Sequence, residues 1–245
     1  MTEPLLDVAR LAEAYPIPSQ VPDQRPWTRA NFATTPNGVI KIAGKSGGVS
    51  GPPDREVFNF LRANCDAILV GASTARVEAY SMPKPSSTRA TAPLLIIVTN
   101  SFDISDNSSF LDEATSPLIV TNSNTAEAKR SKIARLSPRA TVVAFGKDSV
   151  DFPGLFAHLR SEGVRTLLFE GGPATFSQLL RQGLIDELCL TISPRIGNGT
   201  PTGFANIADA SPIEMTLSSH FEIQSYLFCR YSLTSSLPLR KGIPE

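Results

Sequence analysis

Short apolar runs recur along this chain, and most lead through a turn into an amphipathic stretch. Asp66 to Gly71, Leu94 to Thr99, Leu118 to Thr121, Thr141 to Phe145 and Thr166 to Phe169 have the continuous apolar character of strands buried on both faces. Helical segments at Pro52 to Ala63, Thr125 to Leu136, Pro153 to Ser161 and Pro173 to Arg181 separate or follow them. That alternation predicts an α/β sandwich around a mainly parallel sheet, because parallel neighbours need crossover connections. Asp186 to Ile192 and a last strand, Phe221 to Leu233, have no helix between them, so a closing antiparallel ribbon is expected. At the other end, Trp27 to Thr34 reads as a strand, Thr35-Pro36-Asn37-Gly38 as a turn and Val39 to Ala43 as a second short extended piece. Residues 1–24 form a lead-in with a short helix at Leu5 to Tyr15. No polar linker divides residues 25–245, which read as one domain although the 245-residue length allows two at roughly 150 residues each.

Charge narrows the function classes. With 23 basic and 23 acidic residues the net charge is zero, which leaves no electrostatic footprint for nucleic acid or an anionic membrane. The same neutrality removes a safeguard against self-association, so a homo-oligomer is expected. The N-terminus is acidic where a signal peptide needs basic residues, and no run approaches the roughly 18 apolar residues of a membrane span. A cytoplasmic protein is expected. Cys65, Cys189 and Cys229 are odd in number and widely spaced, which predicts buried free thiols and no metal site.

The chemistry concentrates at strand-to-helix turns. Thr166-Leu167-Leu168-Phe169 is followed by Glu170-Gly171-Gly172-Pro173 and an amphipathic run. Two glycines let the backbone approach a ligand closely, and Pro173 suits the first turn of a helix whose free N–H groups attract phosphate. Glu170 lies at a strand's carboxyl end, where open α/β sheets bind ligands. Gly71-x-x-Thr74 is a second such turn, and Ser46-Gly47-Gly48-Val49-Ser50-Gly51 is a glycine-rich loop. Each has a plainer reading. Glu170 and Thr74 can serve as helix caps, Arg62 as a complement to a helix dipole, Glu78 as a solvated side chain, and Ser46 and Ser50 as supports of their own loop. No serine–histidine–acid set and no clustered Cys/His stand out, so chemistry borrowed from a cofactor fits best.

Taken in order, Trp27 to Gly38, Ser46 to Gly51, Leu61-Arg62-Ala63, Asp66 to Thr74, Glu170 to Pro173, Gly183 to Leu188 and Ser193 to Gly197 resemble the pyrimidine reductase domain of riboflavin biosynthesis. That family shares the dihydrofolate reductase fold, a three-layer α/β/α arrangement. The resemblance implies NADPH-dependent reduction of 5-amino-6-(5-phosphoribosylamino)uracil by hydride transfer to C1′ of the opened ribosylamine imine, in a homodimer. It implies that Ala33, Gly71, Thr74, Thr99, Asn100, Gly171 and Gly172 hold the cofactor. Asn31, Ser46, Ser50, Arg62, Glu78 and Glu170 would hold the substrate, with Arg62 on its phosphate, and Asn37 and Glu170 would be catalytic. Many members are fused to a zinc deaminase, whose H-x-E and P-C-x-x-C motifs this sequence lacks. It also departs from the family in carrying Asn37 in place of aspartate, Asn31 in place of lysine and Glu78 in place of aspartate. The loop after Glu78 lacks the usual leucine-to-arginine spacing. These departures keep two alternatives open, a reductase of another substrate such as a dihydropterin and a nucleotide-binding homologue without activity.

Overall fold

The structure is a computed structural model and describes residues 7–86, 89–111, 115–198 and 212–233. In chain order its helices and strands are α1 (Val8–Ala14), β1 (Trp27–Thr34), α2 (Pro52–Ala63), β2 (Ala67–Gly71), α3 (Ala72–Val77), β3 (Leu94–Val98), β4 (Leu118–Thr121), α4 (Ser123–Ala128), α5 (Arg130–Leu136), β5 (Thr141–Ala144), α6 (Phe152–Ser161), β6 (Thr166–Phe169), α7 (Pro173–Arg181), β7 (Glu187–Ile192), β8 (Met215–Ile223) and β9 (Tyr226–Leu233). Short 3-10 turns lie at Ser46–Gly48 and Ser109–Leu111.

The nine strands form one sheet in the order β5-β4-β3-β2-β6-β1-β7-β9-β8. Pairing is parallel from β5 through β7 and antiparallel from β7 to β9 and β9 to β8. Period-two alternation divides the core. Ile68, Val70, Leu95 and Ile97 pack with Val57 and Leu61 of α2 on one face; Leu69, Ile96 and Val120 pack with Phe156 of α6 and Phe176 of α7 on the other. Strand β6 returns to lie between β2 and β1 after the chain has run out to β5. That reversal opens a crevice at the carboxyl ends of the central strands, the usual ligand position in such sheets.

The lead-in is part of the body. Leu11 and Tyr15 are buried in the α2-side core. Arg29 donates to the carbonyl of Pro16 at 2.9 Å, stacks over Trp27 and pairs with Glu187 at 2.5 Å; Arg230 reaches the same carboxylate at 2.8 Å. A buried carboxylate between two guanidiniums thus fastens residues 15–16 across β1, β7 and β9. The three cysteines are buried and free.

Three sequence expectations need correction. The extended piece expected at Val39 to Ala43 joins no sheet and stops at Ile42, where positive φ at Ala43 and Gly44 makes a tight turn closed by an Ile42–Lys45 bridge. Thr125 to Leu136 breaks at Lys129, whose φ of −107° and ψ of 16° leave the helical range, into α4, which starts earlier under an Asn122 cap on the Thr125 N–H at 2.8 Å, and α5. The last strand is a hairpin. Gln224 and Ser225, with φ of 50° and 67°, form the tight turn between β8 and β9. That two-residue geometry usually recruits Asn-Gly, which is absent here, and β8 is so exposed that no apolar run marks it.

Candidate active site

A cavity of about 410 Å³ opens at the carboxyl ends of β1, β2 and β6 and is walled by α2. Two helices begin at its back. Gly71 precedes α3 and Gly172 precedes α7, and neither start is closed by a side-chain cap. Because β2 and β6 are neighbours, both sets of free N–H groups lie on the same edge of the sheet. The Gly71 N–H donates to the Gly171 carbonyl at 2.9 Å, tying the two turns together. Gly171 has a φ of 118°, which disfavours any side chain, and a Cβ on Gly172 would stand 2.8 Å from Thr74 Oγ1. The Gly171–Gly172 peptide is cis. This bare backbone with two uncapped helix starts fits the pyrophosphate of a dinucleotide.

The floor is a closed polar network. Glu170, its side chain only 1% exposed, accepts two parallel bonds from Arg62, Nε to Oε1 and Nη2 to Oε2, both at 2.6 Å. Tyr80 Oη donates to Oε2 at 2.8 Å. The Arg62 guanidinium also lies over the rings of Phe58 and Tyr80, at 4.3 and 5.2 Å. Burial alone would make this guanidinium easier to deprotonate, but Glu170 and Tyr80 outweigh it and hold the charge. The Tyr80 hydroxyl is pushed well above its usual range by burial and by the Glu170 charge, so it stays a donor.

Loops close the sides. Glu78 Oε1 accepts from the Ser46 N–H at 3.0 Å, which fastens the glycine-rich loop to the end of α3. Ser50 Oγ donates to Asp54 Oδ2. Burial raises the Asp54 carboxyl above the ordinary aspartate range, against hydrogen bonds from Ser50 and Thr191 and the nearby Arg55 charge.

Of the residues singled out in sequence, the structure brings Asn31, Ala33, Ser46, Ser50, Arg62, Thr74, Glu78, Glu170, Gly171 and Gly172 to this one cavity. Gly71 lies directly behind Gly171. Asn37 is elsewhere: its Nδ2 donates to the Gly197 carbonyl at 2.9 Å and its Oδ1 accepts from the Gly197 N–H at 3.0 Å, a loop-to-loop clasp outside the cavity lining. Thr99 and Asn100 are also outside that lining. Thr99 Oγ1 accepts from the Phe102 N–H, and Asn100 Oδ1 accepts from the Val150 N–H, tying the loop after β3 to the segment before α6. Arg62 lines the cavity and gives its Nε and Nη2 to Glu170. Sequence reading missed Lys41, Asp54, Arg55 and Tyr80, which also line the cavity. The only local signal was the four-residue step from Ser50 to Asp54 across a helix start; the others have no motif.

The chain is 30% identical over 204 residues to a 2,5-diamino-6-ribosylamino-4(3H)-pyrimidinone 5′-phosphate reductase from Methanothermobacter thermautotrophicus, covering 79% of this chain and 93% of that protein. Among solved structures, a pyrimidine reductase-like protein from Corynebacterium diphtheriae matches with a TM-score of 0.78 and 26% identity, over 91% of this chain and 98% of that one. Dihydrofolate reductase from Enterococcus faecalis, at 15% identity and a TM-score of 0.52 over 85% of this chain and 96% of that one, shares the fold. The family model for the RibD C-terminal domain matches residues 26–227. That match runs from the residue before β1 into β9 and so takes in the whole cavity: the chain belongs to the RibD C-terminal domain family.

Proposed function

We propose that the chain is an NADPH-dependent oxidoreductase that reduces a 5′-phosphorylated ribosylaminopyrimidine of riboflavin biosynthesis. The observation that carries this reading is one cavity with two unlike ends: uncapped helix starts around Gly71 and Gly172, and the polar floor of Arg62, Glu170 and Tyr80. The first suits a dinucleotide and the second a planar heterocycle with several hydrogen-bonding edges. Gly71, Thr74, Gly171 and Gly172 would take the pyrophosphate, Ala33 the nicotinamide side, and Thr99 and Asn100 the adenosine side. NADPH, when bound, supplies the hydride that reduces C1′ of the opened sugar. The chain's own part is to hold C1′ close and aligned and to exclude water.

The substrate phosphate needs cations, and Arg62 is already committed to Glu170. Lys41 and Arg55 line the same cavity, are exposed, and have no ion-pair partner among the described residues. They would receive the phosphate at the mouth while the pyrimidine reaches the floor.

The relative from Methanothermobacter is named for a substrate that keeps a 2-amino group, which the uracil form lacks. The test is therefore a panel: NADPH oxidation by the purified chain with the 2,5-diaminopyrimidinone, with the 5-aminouracil counterpart, and with dihydrofolate. Turnover with at least one phosphoribosylaminopyrimidine and none with dihydrofolate is expected. Tight NADPH binding with no turnover of either pyrimidine would overturn the reading.

A further inference from the structure

One acidic group on the cavity wall has surroundings that do not suit a charge. Asp54, in the first turn of α2, is 5% exposed. Ser50 donates to its Oδ2, but Oδ1 is buried with no hydrogen-bond partner among the described residues. No ion pair reaches it there. A buried carboxylate with an empty acceptor is costly, whereas the neutral acid costs less and has a proton to give. The other acids of the cavity are engaged: Glu170 accepts through both oxygens, and Glu78 holds the Ser46 N–H.

We propose that Asp54 is the general acid that opens the sugar ring of the substrate, an assignment that rests on the reductase reading above. A ribosylamine closed through O4′ cannot accept hydride at C1′. In the step assigned to Asp54, the lone pair of the attached nitrogen forms the C1′–N double bond, and the C1′–O4′ bond breaks with its electrons going to O4′. The Asp54 proton goes to O4′. The result is an open-chain iminium with a free 4′-hydroxyl, and Asp54 becomes a carboxylate. Hydride from the reduced nicotinamide then neutralises C1′ to give the amine, and Asp54 recovers its proton from water. One hydride and one proton are consumed, so the step balances.

Several groups surround Asp54. Arg55 adjoins it on α2, and Tyr15 after α1 couples to it electrostatically. The Tyr226 hydroxyl of β9 stands against Gly51, and Lys41, Arg62, Glu78, Tyr80 and Glu170 share the cavity. A carboxyl needed in its protonated form makes activity fall as pH rises through its pKa. The Ser50 hydrogen bond favours the carboxylate, so its removal raises that pKa.

The test uses Asp54→Asn and Ser50→Ala in three readouts. Asp54→Asn keeps shape and hydrogen bonding but has no proton to transfer, so kcat should fall at least about 100-fold and the residual activity should lack that alkaline limb. Ser50→Ala should fold normally and move the limb to higher pH. Without nicotinamide, the wild-type chain should accelerate interconversion of the substrate's C1′ anomers through the opened ring, seen by NMR exchange, and Asp54→Asn should not. Asp54→Asn turning over within about threefold of wild type, undiminished anomer exchange in that variant, or an unmoved limb in Ser50→Ala would each overturn the assignment of Asp54 alone. Wild-type protein inert in both NADPH oxidation and anomer exchange would overturn the reductase reading and this role with it.

Discussion

Arg62 shows how a residue's job depends on what folds beside it. Its sequence position suggests a phosphate ligand, yet its Nε and Nη2 bond Glu170, 108 residues away along the chain, and its charge lies over two rings. Glu170→Ala would leave a largely buried guanidinium without its counter-charge. Urea unfolding should then show a loss of about 3 kcal/mol, the low end for such pairs because Arg62 keeps some water contact. If Lys41 and Arg55 take over the phosphate, the double variant Lys41→Ala/Arg55→Ala should raise KM for the phosphorylated substrate by about tenfold or more and leave the dephosphorylated riboside unaffected. Asn37 makes the opposite point. Its amide both donates to and accepts from Gly197, so Asn37→Asp sets a carboxylate against a carbonyl oxygen. That variant should lose about 1–2 kcal/mol of stability without gaining turnover; a large gain in kcat would contradict this structural role. The glycines and Glu170 were visible in sequence because their demands are local, a tight turn and a strand end. The partners of Arg62, and the orphaned oxygen of Asp54, exist only after distant segments meet.

At the scale of elements, the decisive pieces are the two strand-to-helix turns. Their function needs backbone without side chains, so Gly172→Ala should weaken NADPH binding by at least about tenfold while the fold survives, since the new Cβ meets Thr74 Oγ1 at the mouth of α7. Isothermal titration and a melting curve separate the two effects. The β8–β9 hairpin carries strain of another kind, with Ser225 in a left-handed conformation. Ser225→Gly should stabilise the protein by about 1 kcal/mol, or roughly 2–4 °C in Tm. Central strands were readable because burial on both faces leaves an uninterrupted apolar run. Strand β8, at the edge and largely exposed, leaves no such trace, and the break at Lys129 has no proline or glycine to mark it.

Across the whole molecule, the edge opposite the cavity holds the central strands in register. Asp66 accepts from the N–H groups of Arg165 and Thr166, from the Thr166 hydroxyl and from Arg89, joining the starts of β2 and β6. Burial alone would raise its carboxyl, but those donors outweigh it and hold it below the usual range. A carboxyl lowered on folding stabilises the native state above its unfolded pKa of about 4, and that contribution is lost as pH falls through the folded value. Asp66→Asn should therefore lower Tm at neutral pH and flatten the decline in Tm on acidification below about pH 5. The parallel core and its antiparallel extension followed from the spacing of apolar runs; the insertion of β6 between β2 and β1, which creates the crevice, has no sequence signature and is decided by packing. Hydride delivery to an opened sugar can be followed by label transfer. With NADPH deuterated at C4 of its nicotinamide, in separate preparations for each face, one preparation should place a single deuterium on C1′ of the ribityl chain, read by mass spectrometry and NMR. Deuterium on any other atom, or a product with no label from either preparation, would rule out hydride delivery to C1′.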